Sequence, residues 1–238
     1  NEHTLTWSNT PAEKHNLNVL AGYTIQESFG EYNQLRAQNF PNDAVRTLSA
    51  GQIVGGTSTE YRNSLISYLS RLTYSYDDKY LFSASIRRDG SSRFGSKNKW
   101  GVFPSASVGW RVSNEAFMQD VSQVSDLKIR GSWGLVGNNK IGDYESIART
   151  GVNYYPLNNT LVNAVNPLNY PNPLLGWEKT MQWNMGLELG LFRDRIRLEA
   201  DFYNSKSVDL LLNVPVPTIS GYATQLQNIG KVQNKGME

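Results

Sequence analysis

The sequence predicts an all-β fold, an antiparallel transmembrane β-barrel segment of about nine strands. Three observations carry that reading. The segment from Tyr68 to Ile86 holds two alternating runs around the turn Asp77-Asp78-Lys79. Folded as a hairpin, it pairs Tyr76 with Tyr80, Tyr74 with Phe82, Leu72 with Ala84 and Ser70 with Ile86 on one apolar face. Thr73 then meets Ser83 and Arg71 meets Ser85 on a polar face. The same two-faced arrangement recurs along the chain. Short turns near residues 10–14, 77–79 and 193–194 alternate with loops of about ten to forty residues. A soluble β-sandwich or propeller explains alternation but not charge on consecutive inner faces. Arg71, Arg111, Arg130, Arg197 and Glu199 would carry heavy desolvation costs in a dry core.

Composition agrees with a barrel. Charged residues are 18 % of the 238 and aromatics 11 %, so the chain is poor in charge and rich in interfacial side chains. Cysteine is absent, which excludes disulfides and thiolate metal or redox sites. A net charge of +2, evenly spread, argues against nucleic acid as a partner. The mean hydropathy of -0.48 and the lack of a long apolar run exclude a helical membrane span. They leave a barrel open, because inward polar residues cancel outward apolar ones in any average. Neither a signal peptide nor an initiator Met stands at Asn1, so residues 1–238 read as an internal piece of a longer protein.

The elements follow in order. A strand near Leu5–Trp7 turns at Pro11-Ala12-Glu13 into one with Leu17, Val19, Ala21, Tyr23 and Ile25 on one face. Residues 28–57, rich in Gly, Asn and Gln, read as a long polar loop. After the Tyr68–Ile86 hairpin, Asp89–Gly95 reads as a surface turn punctuated by Gly and Ser. Val102, Ala106, Val108, Trp110 and Val112 then share a face, and Ser113–Asp120 reads as a short rim helix with a capping Ser. Leu127, Ile129, Trp133 and Leu135 point outward from the next strand, with Lys128, Arg130 and Ser132 inward. Residues 137–176 form the longest loop. A second hairpin turns at Arg193-Asp194 and pairs Leu191 with Ile196, Leu189 with Leu198, Leu187 with Ala200 and Met185 with Phe202. The last strand lies near Leu226. In this frame the short turns are periplasmic and the long loops extracellular, and Leu189 is placed near mid-membrane.

Several stretches then resemble one family. They are Ser85–Gly95, Lys99–Met118, Leu127–Asn138, Asn172–Thr180 and Asp209–Thr218 continued by Leu226–Gly236. In that order they resemble the SusC/RagA type of TonB-dependent outer-membrane receptor, typical of Bacteroidota. The resemblance implies residence in the cell outer membrane and a barrel of about 22 strands with a plugged lumen. Residues 1–238 would then be a fragment of the β-barrel domain, without the plug domain and the C-terminal strands. It also implies active import of a bulky nutrient, an oligosaccharide or a peptide, and no enzymatic activity. The implied partners are outer-membrane lipids, a SusD-like surface lipoprotein, the glycan or peptide substrate, and the TonB complex acting through an N-terminal region that this chain lacks. The alternative is a soluble all-β carbohydrate-binding module.

Candidate sites are few. Asp89–Gly95 lacks the Lys-Ser/Thr ending and following helix of a phosphate loop. Gly186 and Gly190, on a strand, read as small lumen-facing residues beside a plug. His3 and His15 have no carboxylate at ligand spacing, so no metal or other cofactor is expected. Asp143 and Glu145, two apart in a loop, make a poor glycosidase pair, and no catalytic residue is assigned. Glu199 and Asp201 beside Arg195 and Arg197 read as a salt-bridged lumen wall. Tyr144, Tyr154, Tyr155, Tyr170 and Trp177 have the stacking faces that suit sugars and peptides, but each reads more simply as loop packing or outer belt, so substrate-binding residues are left unknown. Tyr74, Tyr76, Tyr80 and Phe82 are assigned to a lipid-facing girdle near a turn.

Overall fold

A computed structural model describes residues 1–45 and 47–238. The first strands are β1 (Glu2–Ala12), β2 (His15–Gln38), β3 (Gln52–Tyr76), β4 (Tyr80–Ser91), β5 (Trp100–Arg111) and β6 (Val124–Asn138). They are followed by β7 (Thr150–Leu157), β8 (Thr160–Pro167), β9 (Glu178–Leu191) and β10 (Ile196–Val208). The chain ends with β11 (Leu211–Pro215), β12 (Thr224–Asn228) and β13 (Lys231–Met237). Nine of them form one antiparallel sheet in the order β1-β2-β3-β4-β5-β6-β9-β10-β13, while β7-β8 and β11-β12 are separate hairpins inserted in loops. No helix among the described residues is long and apolar enough to cross a membrane, which says nothing of strands.

The two hairpins read from alternation have the expected registers. Tyr76 faces Tyr80 and Leu72 faces Ala84, and Leu191 faces Ile196 and Met185 faces Phe202. Both turns rest on left-handed backbone at residues other than glycine. Asp77 and Asp78 have φ of 51° and 52°, and Phe192, Arg193 and Asp194 have 54°, 60° and 61°. Asp tolerates this region because its short side chain bonds locally.

Several local expectations are corrected. Residues 28–57 are not one polar loop: β2 and β3 stay paired out to Gln38 and Gln52. Both faces of this tall hairpin meet water, so no alternation marks it; instead Tyr61 lies across Gly30, where any Cβ would strike its ring. The expected rim helix is two 3-10 turns, Val112–Asn114 and Ala116–Met118, parted by extended backbone at Glu115. Leu226 belongs to β12, outside the main sheet, whose ninth strand is β13; its apolar signal comes from packing on a loop core. Leu135 packs on that same core instead of facing outward, because pairing with β5 ends at Gly134 and leaves the tip of β6 free to turn inward.

That core sits at the loop end of the polar face. Phe94 and Leu175 are 1 % and 0 % exposed, with Phe103 and Trp177 beside them. The Trp177 ring lies 4.9 Å from Phe94 and 5.2 Å from Phe103, and its Nε1 donates to the Lys99 carbonyl at 3.0 Å. Gly101 and Gly137 leave room for the Phe103 ring. Asp89–Gly95 is therefore a buried anchor and not a surface turn, since Phe94 at its centre pins the loop down.

The apolar face carries two aromatic rings. At the turn end Tyr76, Tyr80 and Trp110 form a row, Tyr80 stacking on Trp110 at 6.3 Å. Glu115 accepts from Tyr80 Oη at 2.6 Å and from Trp110 Nε1 at 3.0 Å, which orients both polar tips toward the rim. The other ring was not read from the sequence: Tyr68 stacks on Trp100 at 6.1 Å, and Arg88 lies 4.7 Å over the Trp100 ring. Ten residue steps of β5 separate Trp100 from Trp110; with strand tilt they span about 25 Å, the height of a barrel's lipid band.

These rings relocate the mid-membrane positions. Leu72 lies midway between Tyr68 and Tyr76 on β3, whereas Leu189 is two residues from the turn end of β9. In the full-length protein, Leu72→Arg is expected to cost about 2–4 kcal/mol of folding free energy in lipid, and Leu189→Arg about 0–1. Equal costs in a denaturant titration from lipid vesicles would invalidate this membrane placement. At the rim, the hydrogen bonds from Tyr80 and Trp110 hold the Glu115 carboxyl below its ordinary range. A depressed folded-state value stabilises above the unfolded one and is lost as pH falls through the folded value. The stability advantage of the parent over Glu115→Gln should therefore shrink as pH drops below about 4.3, as read by thermal melting at stepped pH.

Candidate lumenal wall and loop aromatics

The polar face of the sheet is built from small hydroxyls and a few paired charges. Ser83 and Ser107 bond Oγ to Oγ at 2.9 Å, Ser85 and Ser105 at 2.8 Å, and Thr180 and Ser207 at 2.7 Å. Each pair sits directly across two strands, where opposed hydroxyls satisfy one another. A trough of ≈ 760 Å³ runs along this face toward the turn end, between Ser8, Asn18 and Thr73 on one side and Arg130, Ser132 and Gly186 on the other.

Arg130 is the electrostatic centre of this wall. Glu188 and Glu199 stand directly opposite one another on β9 and β10, an arrangement that repels unless a cation intervenes. Arg130 Nη2 donates to Glu199 and to Asp201, each at 2.6 Å. Its Nε lies 3.0 Å from Glu188 but is not aligned to donate, and Lys128 Nζ donates to Glu188 at 3.1 Å. The expected partners Arg195 and Arg197 are not used by Glu199 or Asp201; Arg197 pairs with Asp194 at 3.4 Å. Gly186 lies directly across from Arg130, and a Cβ there would press on the guanidinium and on Asp201. Gly186 is thus small for the ion network within the wall, and Gly190 likewise clears space for the Asp194 carboxylate. A glycine facing an arginine across two strands is the signal that sequence reasoning passed over.

The loop candidates separate into packing residues and exposed ones. Trp177 is core, as described. The Tyr144 hydroxyl accepts from the Arg62 amide at 3.0 Å, and Tyr170 meets Tyr222 edge to face at 4.9 Å. Tyr154 and Tyr155 remain open, 67 % and 59 % exposed on the β7-β8 hairpin. Asp143 is held by Arg93 at 2.7 Å and by Asn63 at 3.3 Å, and Glu145 by Arg149 at 2.7 Å. Both carboxylates are tied into loop structure and do not face each other as an acid/base pair. His15 Nδ1 lies 2.8 Å from the Tyr74 hydroxyl and His3 stacks on Tyr23 at 5.1 Å. Among the described residues no three His, Cys, Asp or Glu side chains group as metal ligands. Together these contacts make a polar wall and a loop scaffold.

Arg130→Gln should destabilise the full-length protein by about 1–3 kcal/mol, the range for hydrogen bonds to charged groups. Gly186→Leu should cost a similar amount by displacing the guanidinium, and the double variant should cost much less than the sum. Additive effects on the unfolding midpoint would break the link between the two positions.

The chain matches the family model described as TonB dependent receptor-like, beta-barrel, over residues 2–238. TonB-dependent receptor P39 of Formosa agariphila is 40 % identical over 241 residues, covering 100 % of this chain and 23 % of that protein. TonB-dependent receptor SusC of Bacteroides thetaiotaomicron is 42 % identical over 188 residues, 76 % of this chain and 19 % of that protein. The solved RagAB peptide transporter superposes with a TM-score of 0.89 at 33 % identity, covering 99 % of this chain and 26 % of the other. The siderophore receptor PirA from Pseudomonas aeruginosa, 11 % identical with a TM-score of 0.51, shares the fold alone. The chain thus spans about a quarter of the length of these SusC- and RagAB-like relatives. Apolar band, polar inner wall and these likenesses agree: the chain belongs to the TonB-dependent receptor β-barrel family, in its SusC/RagA type, and its strands span the outer membrane.

Proposed function

We propose that this chain supplies barrel wall and extracellular loops to an active importer of a bulky nutrient, an oligosaccharide or a peptide. The observation that carries the reading is the inner wall itself. A nine-stranded sheet with one polar, ion-paired face suits a wide, hydrated lumen better than a packed interior. The named relatives support the cargo: SusC is a TonB-dependent receptor, and RagAB is a peptide transporter. On this reading a plug domain and further strands complete the barrel, TonB supplies energy through the plug, and a SusD-like surface lipoprotein covers the loops. The relatives are receptors rather than enzymes, and the chain's role is passage, not bond-breaking.

The test is uptake by the native host. Cells lacking the full-length protein should lose import of labelled oligosaccharide or peptide mixtures of roughly kilodalton size. Cells that keep the protein but lack TonB should lose it equally. Unchanged uptake of every mixture in the deletion strain would overturn the transport reading. Uptake lost in the deletion but kept without TonB would instead mark a passive pore.

A further inference from the structure

The lipid-facing side of β9, β10 and β13 changes character at its extracellular end. Lower down, Met185, Phe202 and Met237 sit side by side across the three strands. Four lysines replace them above. Lys206 on β10 faces Met181 on one side and Gln233 on the other. Lys179 is therefore its diagonal neighbour on β9, and Lys231 and Lys235 are its diagonal neighbours on β13. Diagonal positions on one face lie roughly 7–8 Å apart, within reach of a shared counter-ion for side chains as long as lysine.

No carboxylate among the described residues lies within 4.0 Å of any of the four ammonium groups, although twelve close ion pairs form among those residues. On the inner wall Lys128 and Arg130 are held in ion pairs; among the described residues the four outer lysines are not. Four like charges around one centre repel unless an anion joins them. The patch begins where the apolar band ends: Lys206 stands ten residues from the turn end of β10, as Trp100 stands ten from Trp110 on β5. A ligand that meets both features has an apolar body alongside Met181, Met185 and Phe202 and an anionic head at the level of Lys206.

We propose that Lys179, Lys206, Lys231 and Lys235 form a binding site for the phosphate of an outer-leaflet lipid. The acyl chains lie along the methionine and phenylalanine face, and the phosphate takes hydrogen bonds from ammonium groups that would otherwise repel. Charge complementarity selects the phosphate, and contact with the apolar band selects a lipid over a soluble anion. The site concerns the membrane side of the wall and does not depend on what the lumen carries.

The experiment uses the full-length detergent-solubilised protein, stripped of lipid and titrated with phosphorylated lipid A under native mass spectrometry. The parent should retain the lipid, and each Lys→Gln change should weaken retention about fivefold, with Lys206→Gln the largest single effect. The quadruple Lys→Arg variant should retain the lipid, which separates loss of charge from loss of folding. Lys14→Gln and Lys79→Gln at the opposite rim should change nothing. Equal retention by the parent and the quadruple Lys→Gln variant would overturn the proposal. So would equal binding of dephosphorylated lipid A, or full displacement by inorganic phosphate at matched concentration, which would assign the patch to a soluble anion.

Discussion

In lipid every backbone amide and carbonyl must find a partner within the protein. Strands meet that requirement only by pairing on both sides, and the nine-stranded ladder from β1 to β13 is the direct outcome. Once the ladder is imposed, side chains alternate between lipid and lumen with no freedom to choose. The two aromatic rings, the hydroxyl pairs and the Arg130 network are all consequences of which residues fall on which side. Even the inserted hairpins β7-β8 and β11-β12 conform, for they sit in the loops and leave the order of the main sheet intact.

Where the two faces meet different solvents, the sequence was legible. Tyr68–Ile86 and Met181–Tyr203 show the right partners because a one-residue slip would drive Arg71 or Glu199 into lipid. The family resemblance reached further, to the TonB-dependent receptor β-barrel family, which alternation alone does not distinguish from other barrels. Where both faces meet water the signal disappeared, and the upper part of β2-β3 read as loop. Leu226 and Leu135 misled for the opposite reason: their apolar character serves a small core under the loops, not the lipid.

The interior was harder to read than the exterior. Alternation identified charged inner faces but not who pairs with whom, since that depends on strands distant in sequence. Arg130 reaches Glu199 and Asp201 across β9, some seventy positions along the chain, and only the spatial order of β6, β9 and β10 reveals it. Phe94 and Trp177 come together the same way, joining two loops whose sequences look polar. Lateral groupings such as the lysines around Lys206 need the register of three strands at once.

The hydroxyl pairs on the inner wall have a consequence for anything that moves past them. Ser83 with Ser107, Ser85 with Ser105 and Thr180 with Ser207 are already bonded to each other, and Arg130 is likewise engaged by Glu199 and Asp201. A surface whose polar groups are mutually satisfied stays wetted yet offers few free donors or acceptors to hold a solute. A large hydrated molecule brought against these pairs would find few strong bonds to exchange.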